Sequence, residues 1–395
     1  MKKLNGFAVS WFFAPYVGSA DTDFYKRIKN TDVSYLVAQV ARDHRDARLL
    51  RTAGKADFER VEIKLDHNNP RTAPVRKKFV DEVVRIFEGS GRQFDFIISH
   101  SNELISHEAA GRIKEKNTSL PWVAYFGDLF ARNPYIAHMR GYPLVSEDTL
   151  IEQETLRNAD LIILNNEYQR ELMFSGDFAQ YAHKAVVIPH CYDPAMYEGQ
   201  PVEGFDKFVF AHLGTLYHVK RTATPIMQAV DRLVEIYPAY KNKFEVRFYG
   251  GSPYPNDVDE HQRMRYREHV RFESAVSYFE SLQLMQRANA LLLIDGMFSE
   301  NEDGIKANPF FPGKLADYMG AKKPIAAITM PVGPTADIMN RSGNLTADLR
   351  VDRIAYVMKR YLDGKVKPDI SVYEQYSIDA IAPRMDGAIR EILKG

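Results

Sequence analysis

Residues 208–221 read Phe208-Val-Phe-Ala-His-Leu-Gly214-Thr-Leu-Tyr-His-Val-Lys220-Arg221. A short apolar run that ends in glycine and leads into a helical pattern, Thr222–Ile236, is one βα unit. The run has little polar alternation, which suits a strand covered on both faces. Glycine at the strand's end, with two cations six and seven residues on, has the pattern of a phosphate clamp at a first βα turn. The plainer alternative, a glycine turn followed by a solvated Lys-Arg helix start, stays open.

The same alternation extends in both directions. Downstream, strands are expected at Phe244–Tyr249, Val270–Phe272, Ala290–Ile294 and Ile325–Ile328. Upstream, they are expected at Phe7–Phe13, Val33–Val37, Val61–Leu65, Phe94–Ser99, Trp122–Phe126, Leu161–Leu164 and Ala185–Ile188. Helical patterns between them include Val75–Phe87, Leu104–Lys116 and Ser146–Asn158, the last opened by Ser146 as a cap. Strands alternating with helices predict parallel sheets. The alternation breaks once, where Pro189-His-Cys-Tyr-Asp-Pro and Glu198-Gly-Gln-Pro-Val-Glu-Gly-Phe mark a connection between domains. With 395 residues, too many for one ordinary core, the reading is two α/β domains, 1–195 and 196–375. The helical close, about 376–395, returns to the first domain. Ligands of such sheets bind outside the carboxyl ends of the strands, so two sheets facing each other would enclose a cleft.

Bulk properties narrow the class. Lysine plus arginine and aspartate plus glutamate balance at 52 each, which argues against general nucleic-acid binding. Residues 1–92 hold 18 basic and 12 acidic side chains, whereas residues 93–199 hold 8 and 15. That asymmetry is either uneven solvated charge or a basic face for an anionic membrane surface or a phosphate-bearing acceptor. Arg71, Arg76, Lys77, Lys78 and Arg85 around one helical stretch are its densest part. The single cysteine, Cys191, fits a reducing compartment. The apolar start is short and ends at Ala14-Pro15, so a first buried strand explains it better than a signal peptide. The expected location is cytoplasmic, with weak peripheral attachment to the inner face of the membrane as a variant.

The strongest constellation lies late: Asn308-Pro-Phe-Phe-Pro-Gly-Lys-Leu-Ala-Asp-Tyr-Met-Gly-Ala-Lys-Lys-Pro-Ile. Pro312 sets a helix entry, and Gly313 removes a side chain so that backbone N–H groups close on an anion. Lys314 adds a point charge there, and Asp317, one turn on, suits a sugar diol. An ordinary Pro-initiated helix with exposed Lys and Asp is the alternative. A glycine pair, Gly250-Gly251, ends another strand, weakly diagnostic because glycine also serves turn geometry alone. No cluster has metal-ligand spacing, and no Gly-x-Ser-x-Gly elbow appears.

Taken together, residues 208–328 resemble the nucleotide-sugar domain of family 4 glycosyltransferases, whose GT-B fold pairs two Rossmann-like domains and which transfer with retention. The resemblance implies that Lys220 and Arg221 hold a donor diphosphate and act on the leaving group. It further implies that Gly214, Gly250 and Gly251 line the donor and that backbone near Phe272 and Glu273 borders the base. Phe311, Pro312, Gly313, Lys314 and Leu315 would wrap the phosphates, and Asp317 would bind the ribose. The first domain resembles the acceptor domain more loosely. There Gly18 and Ser19 would abut the donor phosphates and sugar.

Two positions depart from the family. It often carries two glutamates eight apart; the later matches Asp317, and the earlier falls on Pro309. Glu300, Glu302 or Asp303 would be substitutes, although the acidic run Ser299–Gly304 reads first as plain solvation. A histidine usual at one strand end falls on Gly127, and Asp128 beside it either orients the acceptor hydroxyl or caps Leu129–Ala131. His190 reads as a packing residue. The implied activity is transfer from a nucleotide-diphosphate sugar to a glycan or lipid-linked acceptor in cell-surface polysaccharide assembly. Neither a cofactor nor a metal is expected, because cations and helix dipoles offset the leaving charge. A sugar-nucleotide epimerase and a non-catalytic nucleotide-sugar or glycan-binding protein of the same fold are the alternatives.

Overall fold

The computed structural model describes residues 2–394 apart from 44, 53, 68, 71, 102, 132, 138–144, 200–202 and 217–219. Arg71 therefore lies outside the described residues, as do Tyr217, His218 and Val219 of the quoted turn and the side chain of Ser146. The chain divides into two compact units, Met1–Cys191 with Ile378–Gly395, and Tyr192–Ser377.

The first unit carries seven strands: β1 (Leu4–Ser10), β2 (Val33–Val40), β3 (Asp57–Ile63), β4 (Phe96–His100), β5 (Trp122–Tyr125), β6 (Leu161–Leu164) and β7 (Ala185–Val187). They form one sheet in the order β3-β2-β1-β4-β5-β6-β7, and every pairing is parallel. The second unit carries β8 (Phe208–Leu213), β9 (Phe244–Tyr249), β10 (Val270–Glu273), β11 (Ala290–Ile294), β12 (Ile325–Ile328) and β13 (Thr346–Ala347). Their order is β10-β9-β8-β11-β12-β13, again all parallel. Parallel neighbours require crossovers, and the helices that make them cover the sheets, so the inner strands are apolar throughout. All of β11 and β12 is buried.

Differences from the sequence reading lie at edges and loops. β1 starts and stops three residues earlier than its apolar run suggests. Trp11 and Phe13 are buried from the loop instead, Trp11 against Phe79 at 5.0 Å and Phe13 against Phe24 at 5.6 Å. A buried loop aromatic has the same hydropathy as a strand residue, so the pattern does not separate them. β3, an edge strand, begins at Asp57 rather than Val61 because its outer residues stay wet. β13 spans two residues and leaves no periodic trace.

The closing helix, Ile378–Ile392, belongs to the first unit and packs on the helix Ser19–Ile28. Arg390 reaches the Asp32 carbonyl at 3.3 Å, and Arg384 donates to the Val187 carbonyl at 2.6 Å.

The first unit also buries a charge cluster. Arg27, fully enclosed, donates from Nε to Asp23 at 2.8 Å, from one terminal nitrogen to the Ile188 carbonyl at 2.5 Å, and from the other to Asn165. His190 Nδ1 lies 2.6 Å from Asp23, and Tyr125 donates to the same carboxylate at 2.5 Å. Burial alone would raise the Asp23 carboxyl, but Arg27 and then His190 hold it well below the usual range. His190, expected as a packing residue, is thus a charged-network partner. Removing one partner of a buried pair strands the other charge. Arg27→Ala should therefore lower stability by about 3–5 kcal/mol, while Arg27→Ala with Asp23→Asn should recover part of the loss; urea unfolding of the three proteins checks this.

Candidate functional site

In an open parallel sheet, the strand order reverses at one place, and the two loops leaving the strands there diverge and leave a crevice. In the second unit that place lies between β8 and β11. The β8 loop carries Gly214, Lys220 and Arg221, and the β11 loop starts at Asp295.

Gly214 adopts φ +117°, which favours glycine, and donates its N–H to the Tyr249 carbonyl at 2.9 Å. A Cβ at Gly214 would stand 2.8 Å from Lys314 Nζ, and one at Gly250 would stand 2.5 Å from the Gly214 carbonyl oxygen. The strand-end glycines are therefore needed for close approach as well as for turning. Gly251, at φ +88°, completes the turn.

Two cations converge here. Arg221 is buried, with a terminal nitrogen 3.9 Å from Asp295. Lys314 is partly buried, and its Nζ lies 3.4 Å from His212 Nε2. Burial and then Arg221 lower the Lys314 ammonium to about 7, with Asp295 opposing. Burial and then Lys314 hold His212 well below its ordinary range, so the ring is neutral. Its Nδ1 donates to the Leu292 carbonyl at 2.9 Å, which turns the Nε2 lone pair toward Lys314. Asp295 is fully enclosed and accepts from Thr335 at 2.8 Å, Thr329 at 3.2 Å and the Gly296 N–H at 2.9 Å. Its negative charge is thus held in place by neutral donors, with both cations nearby. Asp295 lies at ion-pair distance from Arg221, and its charge also opposes the lowering of the Lys314 ammonium.

The helix carrying Lys314, Gly313–Gly320, is pinned from behind. Tyr318 accepts from the Leu213 N–H at 2.9 Å. Asp317, one turn on, accepts from Tyr278 at 3.0 Å through Oδ1, and its carbonyl accepts from Tyr197 at 2.7 Å. Phe272 stacks on Phe248 with centroids 5.2 Å apart, and with Glu273 it ends β10, the outermost strand. At the usual strand spacing, β10 lies about 10 Å from β8.

Several expected site residues have other duties. Lys220 is tied to Asp303 at 2.9 Å and Glu302 at 3.4 Å, and Asp303 is fully buried at its side chain. The acidic run expected to be solvated is a short capped helix, Glu300–Asp303, whose Glu300 and Glu302 are exposed as that reading has it, while Asp303 is withdrawn from water and held by Lys220. Leu315 is wholly buried and its N–H donates to the Pro312 carbonyl, so it packs rather than wrapping an anion. Phe311 is buried against Tyr376 at 5.8 Å. Pro312 takes the extended conformation before the helix, whose first N–H groups are those of Gly313 and Lys314. The helix after Arg221 has its start satisfied by Asp257, which accepts from the Ala223 N–H and Thr224 hydroxyl.

Gly18, Ser19 and Asp128 belong to the first unit. Gly18 precedes the helix Ser19–Ile28, and the Asp21 carboxylate folds against it, so an acid already lies at that helix start; Ser19 is exposed. Asp128 is exposed on the loop after β5. The N–H groups of Phe130 and Ala131 donate to Glu152, at 3.3 and 3.1 Å, so Asp128 is not their cap.

The basic stretch 76–85 is paired internally: Arg76 with Glu108 and Glu147, Lys77 with Asp81, Lys78 with Asp66, and Arg85 with Glu82. Among the described residues no helix is long and apolar enough to cross a membrane, and no group of His, Cys, Asp or Glu is placed to hold a metal ion.

No family model and no curated protein matches the sequence. Solved structures do match the fold along its whole length. The Anabaena protein HepE, solved with UDP and glucose, superposes with a TM-score of 0.64 at 14% identity, covering 98% of this chain and 99% of that one. A UDP-forming α,α-trehalose-phosphate synthase from Burkholderia xenovorans, solved with glucose 6-phosphate, gives 0.66 at 12%, covering 99% and 100%. Sucrose-phosphate synthase from Thermosynechococcus elongatus gives 0.62 at 13%, covering 99% of each chain. The architecture is thus that of the GT-B glycosyltransferases, with two Rossmann-like domains.

Lys314 generates a pH prediction. An anion bound beside it favours the charged form, so binding takes up a proton wherever the free ammonium, at about 7, has begun to lose it. Affinity for sulfate, whose own charge does not change in this range, should be flat below that pH and fall above it by at most about tenfold per unit. Lys314→Ala should abolish the slope; calorimetry in buffers of differing ionisation heat reads the proton uptake directly.

Proposed function

We propose that the chain is a glycosyltransferase that moves a hexose from a nucleoside-diphosphate sugar to an acceptor hydroxyl, with retention. The single observation that carries this reading is the pair Arg221 and Lys314, two cations near the buried Asp295 at the carboxyl edge of a parallel sheet. A diphosphate supplies the charge that pair lacks. The GT-B architecture supports the reading, as do the ligands of two neighbours, UDP with glucose in one and glucose 6-phosphate in another.

The second unit is read as the donor domain and the first as the acceptor domain. Arg221 grips the diphosphate bidentately, and Lys314, charged once the anion is present, neutralises the oxygen released as the anomeric C–O bond breaks. The new glycosidic bond forms to the acceptor oxygen, whose proton passes to the departing diphosphate. Asp317, steadied by Tyr278, receives the ribose hydroxyls, and the end of β10 borders the base. Lys220 acts one step back, fixing the acidic segment beside the Arg221 loop. Asp128 orients the acceptor hydroxyl. We place the acceptor among glycan or lipid-linked precursors of cell-surface polysaccharide.

Each of Arg221→Ala and Lys314→Ala should weaken UDP binding by about 1.5–3 kcal/mol with no change in thermal unfolding large enough to explain it. Wild-type UDP affinity in the double variant would remove the donor site. Asp317→Ala should cost affinity for nucleoside diphosphates of any base, and Asp317→Asn less.

Asp128→Asn should lower kcat much more than it changes donor KM, because the residue acts on the acceptor. Transfer at the wild-type rate with both substrates saturating would end Asp128's role and leave the donor site intact.

A further inference from the structure

Part of the basic excess of residues 1–92 is compensated by ion pairs, while two half-buried arginines show none among the described residues. Lys3, Arg45, Arg48 and Arg92 pair with Asp57, Glu62, Asp46 and Glu59. Lys2, Lys55 and Lys64 are exposed and fully hydrated. Arg42 and Arg60 are half-buried, and among the described residues no carboxylate lies within ion-pair distance of either.

Both are held by aromatic rings and backbone oxygens. The Arg42 guanidinium lies 4.7 Å from the centroid of Phe12, and its backbone N–H donates to Tyr16 at 2.8 Å. Arg60 Nε donates to the Ala14 carbonyl at 2.7 Å, and its guanidinium lies 5.4 Å from the Phe58 ring and 5.8 Å from Phe13. A ring face attracts a guanidinium without neutralising it and leaves its N–H edge able to bind. The acids at this edge are spent elsewhere: Glu62 accepts from Arg45 and from Tyr16, and Asp46 is bidentate to Arg48. Asp43, beside Arg42 in sequence, is exposed and forms no ion pair among the described residues. Burial without a carboxylate also lowers the Arg60 guanidinium.

The position matters as much as the charge. Phe12 and Ala14 belong to the loop leaving β1, and Arg42 follows β2. β1 borders the order reversal of the first sheet, between β1 and β4; Arg42 follows β2, one strand away, and Arg60, midway along the edge strand β3, reaches the loop after β1 at the Ala14 carbonyl.

We propose that Arg42 and Arg60 form an anion subsite for a phosphate group on the acceptor. The assignment of that phosphate to an acceptor rests on the transferase reading; the subsite itself does not. A guanidinium fork matches a phosphate in a bidentate way, and the flanking rings give a sugar or chain an apolar surface.

The experiment uses the full chain in an Arg221→Ala/Lys314→Ala background, which removes the proposed donor site and so isolates the first unit. Binding of glucose 6-phosphate is measured by calorimetry, and binding to phosphatidylcholine vesicles containing phosphatidic acid by flotation, each with and without Arg42→Ala. The expected result is binding in at least one arm, weakened about tenfold or more by Arg42→Ala, and less by Arg42→Lys, which keeps charge but loses the fork. A response confined to glucose 6-phosphate assigns a soluble phosphomonoester, and one confined to vesicles assigns a lipid-linked phosphate. Arg60→Lys, which keeps the charge at a residue bonded to the Ala14 carbonyl, is the second variant and should also weaken binding. Absence of binding in both arms, or binding indifferent to Arg42→Ala and Arg60→Lys, overturns the subsite. UDP binding by the otherwise unaltered chain reports separately on the donor site.

Discussion

Every strand in both sheets is parallel, and that constraint governs the rest. A parallel neighbour is reached only by a crossover, so helices cover the faces and the strands become apolar on both sides. Polar chemistry is then displaced to the carboxyl ends, where the chain leaves each strand. Where the strand order reverses, the departing loops separate and cannot cover one another. Arg221 and Asp295 stand on opposite sides of such a reversal in the second unit, with Lys314 and His212 close by. In the first, Arg42 and Arg60 reach the loop that leaves β1, one of the two strands at its reversal.

The two units treat buried charge differently. In the first, Arg27, Asp23, His190, Tyr125 and Asn165 close on one another, and the network's hydrogen bonds are spent within the fold. Such a cluster specifies which loop ends meet; it offers little to a ligand. In the second, Asp295 is already bonded to two threonines and a backbone N–H, and the cations around it repel each other. Burial first, and Arg221 second, depress the Lys314 ammonium. An anion of charge two or more relieves the repulsion, which gives the proposed diphosphate site its physical basis.

The acidic segment Glu300–Asp303 shows how tertiary context changes the meaning of a charge run. Four polar residues in sequence, with Ser299 before them, look hydrated. In the fold, Asp303 is withdrawn from water and paired with Lys220, which links the loops after β8 and β11. The Met297 N–H adds a backbone bond to the Lys220 carbonyl at 3.2 Å. A cation that reads from sequence as available for a phosphate is paired in the fold with two carboxylates, while Arg221 beside it lies 3.9 Å from Asp295.

Much of the architecture was legible from local pattern, because a strand buried on both faces needs an uninterrupted apolar run and a crossover needs a helix. Phe208–Leu213, Phe244–Tyr249, Ala290–Ile294 and Ile325–Ile328 run as their apolar stretches indicate, and so does Leu161–Leu164. The gathering of Gly214, Arg221 and Lys314 was legible in part, since glycine at a strand end followed by cations is a local arrangement. His212 and Asp295 left signals, a polar residue inside one apolar run and an acid at the end of another, but neither signal names a partner. Strand order, the pairing of Lys220 with Asp303, the closure around Arg27 and the lack of a carboxylate, among the described residues, beside Arg42 and Arg60 were decided by the tertiary structure alone. Hydropathy is a property of each residue and its near neighbours, whereas compensation of a charge depends on which distant groups the fold brings within a few ångströms.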